Sequence, residues 1–477
     1  MSGTRARVRA ALFLFLVTAI ALMLTPATAV VSGGHVMWVA PPNGVDDTAN
    51  IQAALDACVS TGRDCTVRLQ AGTYHTSQLV EYNFKGALTG MGMNRTTIEA
   101  LPNLTVTLPD SYSDGECLPD TSSCLWPSLI IFVDGNIQVS DLSIQVPAAP
   151  GTATSGWTLN GYEISSLLDV LRFMGQKRTD VSIDRVSIEG QPDMTATSYG
   201  VAFGYGAGFN VVNGIIFTGE LPRSSNPYDY YFLCGSLTVQ RSSFNNLFDG
   251  VSQQGFLQRS QIRIGGEGGA GNQFQNVYIG MDLEGSQSSV FDVSYNVSAG
   301  IYGGMWVIPW QTVFVQTSTS SYSIHDNQFT ATQPYADVLY LVDNFSDPWI
   351  KASVWQNTVT AQKFLSEGIG VYNTQGTSLW RNTVIGSDGY DAIGLWMSSH
   401  DWIAGNKVSR FAIDPEMGYA QIYLDPSSSY NTVYCSATDD VLDQGSNDTV
   451  NCGSTATPVQ ARPIVHSAPR SFRIKPR

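Results

Sequence analysis

The second half of the chain repeats a short pattern of apolar and polar positions. An apolar residue is followed three positions later by asparagine and then, commonly after one residue, by another apolar residue, as in the segment from Ile324 to Phe329. This alternation predicts two short strands joined by a bend. The asparagines of the pattern are Asn272, Asn296, Asn327, Asn357, Asn382, Asn406 and Asn431.

The spacing of these asparagines, 24 to 31 residues, indicates the coils of a parallel β-helix. Each coil of such a fold buries its apolar side against its neighbours. Asparagines stacked at one bend are expected to hydrogen-bond along the axis as an amide ladder. Leucine-rich repeats share the period, but they require regular leucines and a helical segment, which are not visible here. A β-sandwich would not give asparagine at such a regular spacing. The pattern therefore predicts an all-β parallel β-helix.

One amphipathic helix precedes the repeats. Ile51, Ala54, Leu55 and Cys58 recur at helical spacing, and Asp47 is a suitable N-cap residue. The alternating segment 65–69 then predicts a strand. The helix is thus expected to be followed almost entirely by strands.

Segments 46–55, 67–74 and 88–98 resemble the N-terminal region of the pectate-lyase-like superfamily. In that superfamily a helix caps the open end of a single-stranded right-handed parallel β-helix. The resemblance extends over roughly residues 40–452. It implies an N-terminal cap with first coils over 30–100 and a β-helix over 101–452.

The resemblance implies a fold more strongly than a reaction, because the superfamily includes pectate lyases, polygalacturonases, alginate lyases and epimerases, and phage tailspikes. The Gly-His-Gly block of polygalacturonases is absent from this sequence. So are the Arg-x-Pro-x-x-Arg block of pectate lyases and the Tyr-Gly-x-Asp-Pro block of mannuronan epimerases. The best-known activities of the superfamily therefore have no residue-by-residue support.

The two ends of the chain differ from its body. Residues 1–29 combine three arginines, an apolar run and a small-residue cleavage site, which predicts a secretory signal peptide. An uncleaved anchor is the alternative, although the apolar run is short for a membrane span. Residues 453–477 contain five basic residues and no acidic ones, and we expect a disordered basic tail.

Charge restricts the partners. The chain has 40 acidic and 25 basic residues, a net charge of −15, and only 14% charged residues. This balance argues against nucleic acid and against electrostatic docking on anionic membranes. It also leaves few bases to neutralise a uronide, which favours a neutral glycan or one bridged by Ca²⁺.

Seven cysteines agree with export. Three local pairs are expected to form disulfides, and Cys234 remains over. Zinc binding is the alternative, but the clustered spacings that it requires are missing. The expected pairs are Cys58–Cys65, Cys117–Cys124 and Cys435–Cys452.

Candidate catalytic residues come from strand alternation. If Ile279, Met281 and Leu283 face the core, Asp282 and Glu284 face outward together, roughly 6.5–7 Å apart. That separation suits an acid and a base in glycoside hydrolysis. Ca²⁺ binding is an alternative role, and so is a pair of solvated surface acids. Asp249 and Asp292 in neighbouring coils are expected to complete the site. His325, beside Asp326, is a conceivable base or a simple turn residue.

The same alternation exposes aromatic side chains, which stacked coils would align into a stripe. Such a stripe beside acids is typical of a sugar-binding groove. Alternatively, a loop covers the aromatic stripe, or the stripe forms a contact with another subunit. The predicted substrate-binding residues are Tyr302, Trp306, Tyr372, Trp396 and Tyr423.

Together these features predict a secreted protein, extracellular or periplasmic, with no membrane span after signal cleavage. We expect a polysaccharide hydrolase or lyase that holds a glycan along the outer face of the β-helix. The alternative is a non-catalytic carbohydrate-binding or adhesion protein that uses the aromatic stripe alone. Ca²⁺ is the only cofactor that the sequence suggests.

Overall fold

The computed structural model describes most of the chain from residue 35 onward. The described ranges are 35–104, 109–110, 116–117, 124–125, 128–146, 158–159, 162–163, 167–190, 211–219, 234–253, 257–283, 288–307, 320–334, 336–343, 350–363, 366–386, 390–409 and 420–453. The chain divides into two units, Met1–His35 and Val36–Arg477, and the fold described below is that of the second.

One helix, α1 at Thr48–Ser60, and 36 strands make up the described structure. The strands of the first coils are β1 His35–Trp38, β2 Cys65–Arg68, β3 Gly72–Thr76, β4 Leu79–Thr89, β5 Thr96–Ala100, β10 Ser128–Gln145, β13 Leu167–Glu189 and β14 Val211–Gly219. Two small separate sheets lie between them in the chain, and they consist of β6 Asn103–Leu104, β11 Thr158–Leu159 and β12 Tyr162–Glu163, and of β7 Pro109–Asp110, β8 Glu116–Cys117 and β9 Cys124–Leu125.

The later coils are built from shorter strands. They are β15 Cys234–Gln240, β16 Ser243–Asn245, β17 Asp249–Gln253, β18 Gln261–Gly265, β19 Gln273–Leu283, β20 Val290–Ser294, β21 Val297–Val307, β22 Ser320–His325, β23 Gln328–Ala331, β24 Asp337–Val342, β25 Ile350–Trp355, β26 Thr358–Ala361, β27 Glu367–Tyr372, β28 Ser378–Trp380, β29 Thr383–Ile385, β30 Ile393–Trp396, β31 Trp402–Ala404, β32 Lys407–Ser409, β33 Ile422–Leu424, β34 Thr432–Cys435, β35 Val441–Asp443 and β36 Thr449–Cys452.

Strands of successive coils pair in parallel and form three sheets along the axis. The first sheet runs through β14, β17, β19, β21, β24, β27, β30, β33 and β35. The second runs through β15, β18, β20, β22, β25, β28, β31, β34 and β36. The third runs through β16, β19, β21, β23, β26, β29 and β32. The strands β19 and β21 are long enough to serve both the third and the first sheet. The predicted parallel β-helix is confirmed.

The predicted asparagine ladder stands at the bend between the second and third sheets. Asn296 Nδ2 donates to Asn327 Oδ1 at 3.0 Å, and Asn327 Nδ2 donates to Asn357 Oδ1 at 3.0 Å. Similar bonds link Asn272 to Asn296, and Asn357 through Asn382 to Asn406. The residue before each of these asparagines from 296 to 406 has a positive φ, between 55° and 62°, which turns the chain sharply. Burial and full hydrogen bonding of these amides tie each coil to the next.

The last asparagine of the pattern lies elsewhere, and the prediction that Asn431 continues the same ladder is wrong. Thr432 pairs with Trp402 in the second sheet, so Asn431 precedes the second sheet rather than the third. Its Oδ1 accepts from the backbone N–H of Asp401 at 2.9 Å, and Asp401 Oδ1 accepts from that of Thr377 at 2.7 Å. A second polar ladder therefore occupies the bend between the first and second sheets. Spacing alone does not reveal which bend an asparagine occupies, because successive bends have similar sequences.

Aromatic rings stack in the interior of the β-helix. Phe244 and Phe274 lie 4.8 Å apart and nearly parallel, and Phe291 and Tyr322 lie 4.2 Å apart. All four side chains are buried. The register between coils places aromatic residues next to aromatic residues, so that their flat rings pack closely in the narrow core.

Helix α1 caps the first coils, as the sequence predicts, and buries Ile51, Leu55 and Cys58. Asp47 is the N-cap residue, but its side chain makes no capping hydrogen bond. Its Oδ1 instead accepts from the backbone N–H of Asn43 at 3.0 Å, and the residue is fully buried. The carboxylate therefore orders the turn that leads into the helix rather than the first helical turn.

Two of the three expected disulfides are present in the described structure, Cys58–Cys65 and Cys435–Cys452. Cys117 and Cys124 pair across the antiparallel strands β8 and β9, but their side chains lie outside the described residues. Cys234 is a free, half-buried cysteine.

Both predicted terminal segments, the signal peptide over 1–29 and the basic tail over 453–477, lie almost wholly outside the described residues. Within the part of the chain that is described, no helix is long and apolar enough to cross a membrane.

Candidate active site

Three acidic residues stand at the start of successive strands of the first sheet or, for Asp391, two residues before the strand. Asp337 begins β24 and Glu367 begins β27, and the two are register partners. Gly368 donates its backbone N–H to the carbonyl oxygen of Asp391 at 3.2 Å, which places Asp391 beside Glu367 in the next coil. Adjacent strands are about 4.8 Å apart, so the three acids form one column along the axis.

Glu367 is held at the centre of this column by two side chains of the same face. Tyr372 Oη donates to Glu367 Oε2 at 2.9 Å, and Trp396 Nε1 donates to Glu367 Oε1 at 3.3 Å. Only 1% of Glu367 is exposed. Both carboxyl oxygens are therefore oriented by donors that come from two different coils.

Burial changes the acidity of all three carboxyl groups. Burial, with the charges of Asp337 and Asp391, raises the pKa of Glu367 well above its usual value. Burial raises the pKa of Asp337 to about 6 and that of Asp391 to about 7. Asp391 Oδ1 accepts from the backbone N–H of Ala420 at 2.8 Å, whereas its buried Oδ2 has no hydrogen-bond partner. Such a set can give up and accept protons near neutral pH.

An aromatic ladder runs along the first sheet beside the acids and contains four of the five predicted substrate-binding residues. Neighbouring ring centroids lie 4.7 to 6.4 Å apart. In chain order the ladder is Tyr278, Trp306, Tyr340, Tyr372, Trp396 and Tyr423. The fifth predicted residue, Tyr302, belongs to β21, but its side chain lies outside the described residues.

The rings of this ladder differ in tilt and in exposure. Tyr372 and Trp396 are parallel within 6°, but Tyr340 is tilted by 57° to Tyr372, and Tyr423 by 62° to Trp396. Tyr278 and the predicted outward residue Tyr423 are buried, whereas the four rings between them are partly exposed, so the middle of the ladder is the part that a ligand can reach. Trp306 also donates its indole N–H to the backbone carbonyl oxygen of Asp337 at 2.9 Å, which ties the ladder to the acidic column.

The predicted acids Asp249 and Asp282 form a second cluster on the first sheet. Burial, followed by the charges of Asp282 and Asp169, raises the pKa of Asp249 well above its usual value. Burial raises the pKa of Asp282 to about 7. The Oδ1 atoms of both residues are buried without a hydrogen-bond partner. Asp282 is the register partner of Trp306, so this cluster adjoins the aromatic ladder. Glu284 lies outside the described residues.

The structure does not bring Asp292 to either cluster. Asp292 lies in β20 of the second sheet, where it contacts Arg263 at 3.3 Å and His325 Nε2 at 3.4 Å. Burial would raise the pKa of Asp292, but the hydrogen bond and charge of His325, with the charge of Arg263, outweigh it and lower that pKa. A low pKa suits an ion pair more than a proton donor.

His325 stands between two carboxylates, since its Nδ1 lies 2.8 Å from Asp326 Oδ2. Burial would lower the pKa of His325, but the hydrogen bonds and charges of Asp292 and Asp326 outweigh it and raise that pKa. The ring stacks on Trp355 at 4.2 Å, and Trp355 stacks on Trp380 at 4.9 Å. These rings are parallel within 11°, so they cover one another's faces.

No group of three or more His, Cys, Asp and Glu side chains that could hold a metal ion occurs among the described residues. The described residues therefore provide no cluster of this kind for the expected Ca²⁺.

Sequence reasoning missed the acidic column, although the sequence carries a signal for it. The segments Glu367–Tyr372 and Asp391–Trp396 share the pattern acid-x-Ile-Gly-x-aromatic, and Asp337 stands two positions before core-facing Leu339 in the preceding coil. Simple alternation from the aromatic residue places position 367 on the opposite face to Tyr372. The alternation is broken here, because the consecutive backbone N–H groups of Gly368 and Ile369 both donate to the next coil, to the carbonyl oxygens of Asp391 and Ala392.

Comparisons with known proteins support the fold. The chain resembles the A-module of mannuronan C-5 epimerase AlgE6 from Azotobacter vinelandii, with a TM-score of 0.50 and 14% identity over 85% of this chain and 92% of that one. It also resembles DFA-IIIase from Arthrobacter chlorophenolicus A6 in complex with GF2, with a TM-score of 0.50 and 11% identity over 86% of this chain and 95% of that one. The adhesin PfbA of Streptococcus pneumoniae matches with a TM-score of 0.47 and 14% identity over 84% of this chain and 92% of that one.

No family model matches the sequence, and no curated protein matches it. At these identities the structural likeness establishes a shared parallel β-helix and leaves the reaction to the site.

Proposed function

We propose that the protein is a carbohydrate-active enzyme that hydrolyses a glycan held along the outer face of the first sheet. The observation that carries the proposal is the Glu367 carboxyl group, buried between two further acids and oriented by Tyr372 and Trp396. The same fold hosts a mannuronan C-5 epimerase, which agrees with glycan chemistry but does not identify the reaction.

The different acidities of the column suggest the roles. Glu367, with its strongly raised pKa, is the proposed proton donor to the leaving oxygen. Asp337, with a pKa of about 6, is ionised at neutral pH and is the proposed nucleophile or base. Glycoside hydrolysis requires such a pair of carboxyl groups with separated pKa values. Placement on adjacent strands, about 4.8 Å apart, favours the shorter carboxyl separation that is typical of retention.

The charge of the face favours a neutral substrate. The strands β17, β19, β21, β24, β27, β30 and β33 contain no Lys or Arg. A uronide would bring its own carboxylates beside acids with no base on these strands to neutralise them. The partly exposed rings of the aromatic ladder would instead contact the apolar faces of neutral sugars.

The remaining sequence predictions complete this proposal. The cluster of Asp249 and Asp282 stays a predicted second catalytic location on the same face, and Glu284 stays a predicted member of it, whereas Asp292 lies on the second sheet. Export of the protein also remains a proposal, and the disulfides Cys58–Cys65 and Cys435–Cys452 support it because such bonds persist in oxidising compartments.

A panel of neutral and uronic glycans tests the proposal, with reducing ends and unsaturated products measured in Ca²⁺ and in chelator. We expect reducing ends from a neutral glycan. Glu367→Gln should reduce the rate about 10²–10⁴-fold, because general acid catalysis contributes that much. Glu267→Gln is the matched control, since Glu267 is exposed in a turn. Binding without any product would favour the alternative of a non-catalytic carbohydrate-binding protein, and unsaturated products would favour a lyase.

A further inference from the structure

We infer that Tyr372 and Trp396 are positioning residues for the Glu367 carboxyl group, and that glycines at 370 and 394 are required to leave room for it. The inference rests on the proposed function and deepens it. It concerns how one carboxyl group is held in a single orientation.

The two donors act on different oxygens. The Tyr372 hydroxyl donates to Oε2 and the Trp396 indole N–H donates to Oε1, so rotation of the carboxyl group would break both bonds. The indole N–H is only a donor. The pKa of Tyr372 is raised by burial and by the Glu367 charge, so its hydroxyl keeps the proton that it donates. The contact from Trp396 is therefore fixed in direction, and the Tyr372 hydroxyl donates whenever the Glu367 carboxyl group is ionised.

The glycines provide the space that this arrangement occupies. A Cβ atom at position 370 would lie 2.6 Å from Glu367 Oε2 and 2.9 Å from the Tyr372 ring. A Cβ atom at position 394 would overlap Glu367 Oε1 and lie 2.7 Å from Trp396 Nε1. Neither glycine has a positive φ, so backbone conformation alone does not require them. Their role is steric, and it is directed at the same carboxyl group in two successive coils.

The contacts make opposing contributions to the acidity of Glu367. Burial and the charges of Asp337 and Asp391 raise its pKa, whereas the hydrogen bonds from Tyr372 and Trp396 lower it. Loss of a positioning bond is therefore expected to raise the pKa further. Loss of a neighbouring charge is expected to lower it. The two kinds of variant are distinguished by the sign of the change.

The experiment measures the Glu367 carboxyl group directly, by ¹³C NMR titration of the full chain labelled at glutamate, with Glu367→Gln used to assign the signal. Tyr372→Phe and Trp396→Phe should each raise the pKa of Glu367 by about one unit, the equivalent of one hydrogen bond. Gly394→Ala should do the same, because the added methyl displaces the flexible end of Glu367 from Trp396. Asp391→Asn should lower the pKa.

Two controls match these substitutions. Trp380→Phe removes an indole from the stack of His325, Trp355 and Trp380 on the second sheet and should leave both the Glu367 titration and glycan cleavage unchanged. Tyr423→Phe removes a hydroxyl of the same aromatic ladder that contacts Gln444 Oε1 at 3.3 Å, and the Glu367 titration should again stay the same.

The inference is overturned if the Glu367 titration is the same in Tyr372→Phe, Trp396→Phe and the unchanged protein. The phenylalanine variants are the decisive ones if Gly394→Ala does not fold. If the titration moves as expected but no glycan is cleaved, the positioning stands and the proposed hydrolysis fails. If glycan is cleaved and the titration does not move, the positioning fails alone. In a cleaving enzyme, the alkaline limb of kcat/KM should follow the measured pKa in each variant.

Discussion

Asn327 and Asn357 are joined across two coils by a side-chain hydrogen bond of 3.0 Å, and Asn357 Oδ1 also accepts from the backbone N–H of Asn327 at 3.0 Å. Both residues are 1% exposed. One amide oxygen thus satisfies two buried donors of the preceding coil, where water cannot replace it.

Asn357→Ala should therefore lower the free energy of unfolding by at least about 2 kcal/mol, because two buried donors lose an acceptor. Gln328→Ala removes an exposed amide from a neighbouring strand and should change stability by less than about 0.5 kcal/mol. Urea denaturation at neutral pH measures both variants. Equal effects of the two substitutions would mean that the ladder does not stabilise the fold.

Asp401 occupies a ladder position that an amide could fill. Burial raises its pKa to about 8, above an ordinary value of about 3.9. A carboxyl group with a raised pKa in the folded state contributes stability at low pH, and that contribution is lost as pH rises from about 4 through about 8.

Asp401→Asn should accordingly make the protein more stable at pH 8 and have a smaller effect at pH 4. The amide oxygen can still accept the backbone N–H of Thr377, which Asp401 Oδ1 now accepts at 2.7 Å. Thermal unfolding of both proteins between pH 4 and pH 8 tests this expectation. A stability difference that does not depend on pH would contradict it.

The last coil is closed by the disulfide between Cys435 and Cys452, which are also register partners in β34 and β36. The bond closes a loop with a sequence separation of 17 residues, for which the chain-entropy model gives about 3 kcal/mol. The double substitution of both cysteines by alanine should destabilise this end of the β-helix first. Hydrogen exchange should therefore increase in β34 and β36 before it increases in β22 and β25, and uniform protection would argue against local opening.

Substitution of Asp282, the neighbour of Asp249, distinguishes the roles of the two acidic clusters of the first sheet. Asp282→Asn removes a charge that helps to raise the pKa of Asp249, and carboxyl titration should show that pKa falling. If the acidic column around Glu367 is the catalytic centre, Asp282→Asn should reduce the cleavage rate much less than Glu367→Gln. A larger loss in Asp282→Asn would instead move the catalytic centre to the cluster that alternation predicts.

The spacing of asparagines and the helix before them were sufficient to predict the parallel β-helix, because coil length and apolar alternation are local properties of the chain. Alternation from the core-facing Val371 and Leu395 also identified Tyr372 and Trp396 as outward residues. The same local logic could not assign Asn431 to its bend, since bends of similar sequence occur at more than one corner of a coil.

Only the tertiary structure decided which acids meet. Asp337 and Glu367 are 30 positions apart in the chain and become neighbours because their strands pair in register, whereas Asp292 is only ten positions from Asp282 and belongs to another sheet. Which residues lie close together in a β-helix depends on the register between coils. That register depends in turn on the lengths of all the intervening bends. The sequence by itself therefore determined the coil and its outward aromatic residues. The packing of coils determined that Glu367 lies buried between two acids and two donors.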